Sequence, residues 1–280
     1  MGAELRTTTI GIIGAGRVGS VLGAALADAG YWIVSTLSSR GGAIHRDAGG
    51  TPTEVIAAAD VVIFAVPDDI LAPLMAQLAF RPGQIVAHTS GAHGVGVLAP
   101  AVAQGARPLA LHPAMTFTGR PDDLVRLRKG ISFGLTAPDD LRPFAEALVR
   151  ELGGTPEWIA EERRTLYHAA LAHGANHLVT LVNEALDLLR EAGVGRPERT
   201  LDPLLHAALD NALRHGDAAL TGPVSRGDAG TVAAHVDTLA ELVPGSVEAY
   251  RALARRTADR AVRADRIDVD SAEAIRDVLE

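Results

Sequence analysis

Thr8-Thr9-Ile10-Gly11-Ile12-Ile13-Gly14-Ala15-Gly16-Arg17-Val18-Gly19 is the stretch on which the fold turns. Its first half is short, apolar and rich in β-branched residues, which favours a strand, and it stops at Gly14. A helical pattern then runs from Arg17 to Ala29 and ends at Gly30, a residue suited to a helix C-terminus. A glycine-rich turn between a strand and a helix is a phosphate cradle. The first glycine, Gly14, makes the tight turn; the second, Gly16, lets backbone approach a pyrophosphate; the third, Gly19, permits close helix–strand packing. The helix N-terminus adds unpaired N–H groups and a favourable dipole. Gly14, Ala15, Gly16, Arg17, Val18 and Gly19 are therefore the candidate dinucleotide-binding residues.

Working outward, Tyr31 to Leu37 reads as a second strand and Pro52 to Ala59 as a short helix. Asp60 to Val66 is a near-continuous apolar run, as in strands buried on both faces, and Pro67 stops it. A helix over Ile70–Ala79 follows. Strands are expected at Ile85–His88, Pro108–Leu111, Ile131–Leu135 and Thr155–Ile159, with a helix over Asp139–Leu152. This alternation predicts an α/β fold with a doubly wound parallel Rossmann sheet. After about Ala160 the strand signals vanish. Glu161 to Glu191 reads as one long helix, apolar on most of its circumference and therefore expected to be buried. Shorter helices follow near Arg199–Arg214, Ala229–Leu242, Ser246–Arg263 and Ser271–Leu279. The expected domains are 1–160, which binds NADP, and 161–280, an all-α domain for substrate and dimerisation.

The bulk properties narrow the function. A chain of 280 residues suits two domains, and 48% hydrophobic with 21% charged residues is a globular composition. A net charge of −8 argues against binding nucleic acid, which needs a basic face. The absence of cysteine excludes disulfides, thiolate metal sites and cysteine nucleophiles. No apolar run reaches membrane-spanning length, so a cytoplasmic protein without a membrane partner is expected.

Enzymes that use NAD place Asp or Glu at the end of the second strand, where it binds the ribose hydroxyls. This chain has Ser38, Ser39 and Arg40 there. Two hydroxyls and a guanidinium suit a 2′-phosphate, which a carboxylate would repel. NADP is the expected cofactor, with Val66 and Pro67 at a strand end rimming the same crevice. Asp68 and Asp69 read as helix-capping carboxylates. Ser90, after His88-Thr89, is either a turn residue or a hydrogen-bond donor to a substrate oxygen. His112, before Pro113, is either structural or a proton shuttle. On the long helix, at 100° per residue, Asn176 lies about 80° from His168, so one groove sees both. His173 and His177 lie about 140° and 180° from His168, which rules out a shared metal site. In Thr221-Gly222-Pro223-Val224-Ser225-Arg226-Gly227-Asp228, Ser225 and Arg226 are candidate ligands for a substrate carboxylate, or members of an interhelix loop capped by Asp228.

These motifs, from Gly14–Gly19 through Ala65-Val66-Pro67-Asp68, His88-Thr89-Ser90-Gly91, Leu111-His112-Pro113 with Thr116-Phe117, Tyr167-His168-Ala169-Ala170 to Asn176, and Thr221–Asp228, are together specific. The whole chain resembles bacterial proteins that join an N-terminal Rossmann-like domain to a C-terminal domain of unknown function, within the 6-phosphogluconate dehydrogenase-like superfamily. The resemblance implies a helical second domain that covers the nicotinamide and builds a homodimer. The related ketopantoate reductases carry a helix W-x-K-x-x-x-N-x-x-x-N. Laid on Leu166 to Asn176, its lysine falls on His168, its first asparagine on Ala172 and its second on Asn176. The resemblance thus implies NADPH-dependent reduction of a small keto acid such as ketopantoate. In that scheme His168, or else His112, is the proton donor, Asn176 and Ser90 orient the carbonyl, and Ser225 or Arg226 holds the carboxylate. Prephenate dehydrogenases carry a strand-end serine and a His-Pro that resemble Ser90 and His112-Pro113, which makes that enzyme an alternative. A regulatory protein that holds NADP without turnover is another.

Overall fold

A computed structural model describes residues 8–14, 16–35 and 50–280. Its strands are β1 (Thr9–Ile13), β2 (Trp32–Ser35), β3 (Val61–Phe64), β4 (Ile85–His88), β5 (Arg107–Pro113), β6 (Ser132–Thr136) and β7 (Thr155–Trp158). They form one seven-stranded sheet in the order β2-β1-β3-β4-β5-β6-β7. The Val61–Phe64 run shows why an unbroken apolar segment makes a central strand. Val61 and Ile63 join the core on one face of the sheet, Val62 and Phe64 the core on the other, and all four are buried.

The helices of this part are α1 (Arg17–Asp28), α2 (Pro52–Ala58), α3 (Asp68–Met75), α4 (Ala99–Val102), α5 (Asp122–Arg128), α6 (Arg142–Glu151) and α7 (Arg164–Leu171). Gly30, with φ +97, ends the α1 region as its sequence position suggested: Gly30 N donates to Ala27 O and Tyr31 N to Leu26 O. A reciprocal capping box of Thr51 and Glu54 starts α2. The α/β architecture is as expected, with one departure. β5 and β6 are antiparallel, whereas β1 to β5 are parallel and so are β6 and β7. Residues 114–131 therefore stay at the carboxyl end of β5 and carry only the short α5, with no crossover back along the strand.

Chain contacts divide the molecule into two units, Met1–Asn176 and His177–Glu280. The second is all helical: α8 (His177–Glu191), α9 (Pro197–His215), α10 (Ala229–Leu242), α11 (Val247–Arg263) and α12 (Val269–Asp277). Its core is built by Val232, Val236, Ala254, Ala258, Ala272, Ile275 and Leu279. Two corrections to the sequence reading fall on the long helix. Ala172–Asn176 is a π-helical turn, with i→i+5 bonding that changes the winding, so a uniform 100° per residue does not extend to Asn176. The apolar α8 also has no buried residue, and Leu178, Val179 and Leu181 are exposed. Among the described residues no helix is long and apolar enough to cross a membrane.

At the β1–α1 turn the packing leaves no room for one more carbon. A Cβ on Gly19 would stand 2.0 Å from Gly14 O, a backbone atom that cannot step aside. Gly19→Ala is expected to destabilise the protein by about 1–3 kcal/mol, the usual scale of overpacking. Urea denaturation of the pure variant measures this, and an unchanged midpoint would refute the packing argument.

Candidate active site

The parallel strands β1, β3, β4 and β5 are successive neighbours, so their carboxyl ends share one edge. At the β1 end, Gly14 has φ +103, and a Cβ on it would meet Ala65 O at 2.5 Å and Val66 Cγ1 at 3.1 Å. Val66 thus packs on the turn, and Pro67 is the N-cap of α3. Among the described residues, a Cβ on Gly16, by contrast, would have nothing within 4 Å. Gly16 is the N-cap of α1, with no side-chain cap and no acidic residue in the first turn. Open space in front of uncapped helical N–H groups fits a phosphate-bearing cofactor. Arg17 reaches the 117–119 loop, where its Nη1 donates to Phe117 O at 3.4 Å. Val18 is half-buried and packs on the core. Ala15, Ser38, Ser39 and Arg40 lie outside the described residues.

At the β4 and β5 ends the chain gathers a polar cluster. His88 is fully buried. Its Nε2 lies 2.8 Å from Gly94 O, and its Nδ1 accepts from Ser90 N at 3.2 Å, which assigns the proton to Nε2. Burial, with help from Arg164 and His93 and against the Gly94 bond, pushes its pKa down to about 4. The loop that follows is tied from outside, because the Glu161 carboxylate accepts from Val95 N (2.7 Å) and Gly96 N (2.9 Å). Ser90, itself buried, accepts at Oγ from His93 N, which leaves its O–H proton to be donated.

His112 and His168 meet over Gly91. A Cβ there would lie 2.7 Å from His168 Cδ2 and 2.9 Å from His112 Nε2, so only glycine lets the two rings approach the Ser90 loop. Their ring centroids are 6.2 Å apart. On its other side, His112 Nδ1 is 2.9 Å from Tyr167 Oη. The Tyr167 hydroxyl packs on Gly134, the residue opposite His112 in β6. Burial, and after it Arg164 and His168, pushes the His112 pKa down to about 4, with Asp68 opposing. Arg164 is 1% exposed and sits behind the cluster.

Three sequence candidates, Ser90, His112 and His168, are thus brought together. Asn176 is exposed at the last position of the π turn. Ser225 and Arg226 belong to the second unit. Ser225 is buried and its hydroxyl donates to Gly222 O at 3.1 Å, a bond within its own loop, while Arg226 is exposed. Asp228 caps α10 through Thr231 N. Asp68 and Asp69 occupy the first turn of α3 without a side-chain cap bond. Sequence reasoning missed Tyr167, whose partner is 55 residues away, and Arg164. Only their position three residues apart on one helix hinted at a shared face.

Residues 3–113 match the Rossmann-like domain family, and residues 131–257 match the domain of unknown function DUF2520. No curated protein matches the sequence. Among solved structures, a candidate NADP oxidoreductase from Bacteroides fragilis is similar at 22% identity and TM-score 0.76, covering 91% of this chain and 99% of its own. A protein from Thermotoga maritima is similar at 21% identity and TM-score 0.69, over 92% and 100%. Pyrroline carboxylate reductase from Plasmodium falciparum, solved with NADP, is similar at 14% identity and TM-score 0.62, over 99% and 100%. At these identities the likeness establishes the fold, which is one that NADP-dependent oxidoreductases use.

The histidine burial has a consequence for stability. His88 stays neutral in the folded protein down to about pH 4, but titrates near 6.5 in an unfolded chain. Its contribution is complete above pH 6.5 and is lost progressively as pH falls towards 4, because only the unfolded state takes up the proton. The full loss is about 3 kcal/mol. Urea denaturation from pH 7.5 to 4.5 should show a shallower pH slope for His88→Gln than for the wild type. Equal slopes would contradict the assignment.

Proposed function

Since the chain carries the two-domain architecture that joins a Rossmann-like domain to DUF2520, we propose that it is an NADPH-dependent oxidoreductase that reduces a small carbonyl acid, with ketopantoate the first substrate to test. The observation that supports this reading is the placement of Ser90, His112 and His168 at the carboxyl ends of β4 and β5 and over them. That is the edge on which the open glycine turn of β1 stands, and open α/β sheets bind their ligands there. A bound nicotinamide supplies the hydride. The chain supplies orientation and a proton. The Ser90 hydroxyl donates to the substrate oxygen, and the His112–His168 pair stands where that oxygen gains charge and is protonated. Ser38, Ser39 and Arg40 are assigned to the 2′-phosphate of the cofactor.

A second copy of the chain is the partner we assign to the apolar sides of α8 and α9. Val179, Leu204, Leu209 and Leu213 are 60%, 62%, 52% and 80% exposed, and such a surface on a folded chain marks an interface. Sedimentation should give a dimer for the wild type and a monomer for Val179→Glu combined with Leu213→Glu; a monomeric wild type would remove this assignment.

The activity test is NADPH oxidation followed with ketopantoate, other 2-keto acids, and cyclic imines that separate C=O from C=N acceptors. Turnover of one keto acid supports the reading, and His168→Ala or His112→Ala should then cut kcat by roughly 10²–10⁴-fold. NADPH binding without turnover of any acceptor would replace the reductase with a sensor. Arg40→Ala should weaken NADPH binding roughly tenfold and spare NADH. Equal weakening of both would refute the 2′-phosphate assignment.

A further inference from the structure

Behind the two histidines stand a phenol and a cation that the reading above does not use. Tyr167 Oη lies 2.9 Å from His112 Nδ1, and the two rings meet edge to face at 88° with centroids 5.6 Å apart. The Arg164 guanidinium carbon is 5.9 Å from the Tyr167 ring centroid. Arg164 is 1% exposed. Its Nε donates to Thr136 Oγ1 at 2.7 Å, and its Nη2 to Ala110 O at 3.3 Å and Gly134 O at 3.1 Å. All three acceptors are neutral. Among the described residues its Nη1 is buried with no hydrogen-bond partner, and no carboxylate pairs with it. Glu161 acts on it only through space, with its carboxylate bound to Val95 N and Gly96 N.

A buried guanidinium without a counter-ion is costly, and here it stands beside a phenol that would become an anion on losing its proton. We propose that Tyr167 and His112 form a proton relay, from Tyr167 Oη to His112 Nδ1 and from His112 Nε2 to the substrate oxygen, with Arg164 as the fixed counter-charge for the phenolate. The relay rests on the reductase reading and adds the proton source to it. During reduction the carbonyl carbon gains a hydride and the C=O π bond breaks. The oxygen takes the proton from His112 Nε2, and Nδ1 takes the proton from the Tyr167 hydroxyl. The imidazole ends neutral, with its tautomer exchanged, and the negative charge rests on Tyr167 Oη until solvent returns a proton.

The surroundings of His112 favour this path over an imidazolium donor. Burial disfavours a charge on His112, as do Arg164, His168 and His88, while Asp68 favours one. With the ring held at a pKa of about 4, roughly one molecule in a thousand carries the second proton at pH 7. A neutral imidazole donates from Nε2 only if Nδ1 is refilled, and among the described residues the side chain bonded to Nδ1 is Tyr167. Arg164 also eases ionisation of Tyr167, against the burial that opposes it.

Long-range proton–nitrogen NMR of the histidine-labelled protein decides the geometry without any substrate, with His112→Asn used to assign the signal. The expected result is a neutral His112 protonated on Nε2, with Nδ1 accepting from Tyr167. That signal should lose its hydrogen-bond shift in Tyr167→Phe, and its titration should move to higher pH in Arg164→Met and return in Arg164→Lys. A proton on Nδ1 in the wild type, where the ring would donate to the phenol, overturns the relay whether or not an acceptor is known. With an acceptor in hand, Tyr167→Phe should lower kcat roughly 10²-fold while the NADPH Kd stays constant. Unchanged kcat in that variant overturns the relay while wild-type turnover keeps the reductase. Wild-type silence across all acceptors instead removes the reductase reading, and the relay's role in it.

Discussion

Arg164 ties the start of α7 to the sheet. Its guanidinium bonds Ala110 of β5 and Gly134 of β6, and through Thr136, which itself donates to Ile159 O, it reaches the end of β7. Removing such a charge from water costs several kcal/mol, which fixed carbonyl dipoles offset only when the geometry is good. The bonds to the sheet therefore set where α7 starts. Once α7 starts there, Tyr167 and His168, three and four positions later, fall on the face that overlies the strand ends. One side chain thus places the helix, and its positive charge adds to the burial that keeps His112 and His88 neutral.

The strand ends would still be too crowded for that helix if ordinary residues stood opposite it. Gly91 and Gly134 provide the missing clearance, the first for His112 and His168, the second for the Tyr167 hydroxyl. The loop that carries Gly91 is held on two sides. His88 bonds it from within through Gly94 O and Ser90 N, and Glu161 bonds it from outside through Val95 N and Gly96 N. Ser90 is consequently a fixed donor on a fixed loop. Positions like this one give hydrogen-bonding groups their value in catalysis, since little reorganisation is left to make.

Much of this was legible in the chain because it follows from local pattern. The buried run at Val61–Phe64, the glycine pattern at Gly14–Gly19 and the stop at Gly30 each carry their signal within a few residues, and the structure forms the run, the helix that opens after Gly16 and the stop. The antiparallel β6 was not legible, since strand direction depends on where residues 114–131 travel and not on their hydropathy. The π turn at Ala172–Asn176 was hidden because it differs from an α-helix only in hydrogen-bond register, so the phase argument joining His168 to Asn176 carried past the point where it holds. Burial of α8 was misjudged for a different reason: apolar periodicity reports that a face is to be covered, not which chain covers it. In the site, strand-end logic found Ser90 and His112, and the helix pattern found His168. Tyr167 and Arg164 stayed hidden, because their roles are defined by partners on β5 and β6.

The charge pattern of the cluster bears on which acceptor suits it. Three imidazoles, two of them held neutral by burial, surround one buried cation whose nearest hydrogen-bond partners are uncharged. In a water-poor site such an arrangement stabilises negative charge and opposes additional positive charge. Hydride addition to a carbonyl builds negative charge on oxygen. Hydride addition to an iminium instead begins from a cation, which such a field disfavours. On the reading proposed above, the electrostatics of these residues therefore favour a carbonyl acceptor.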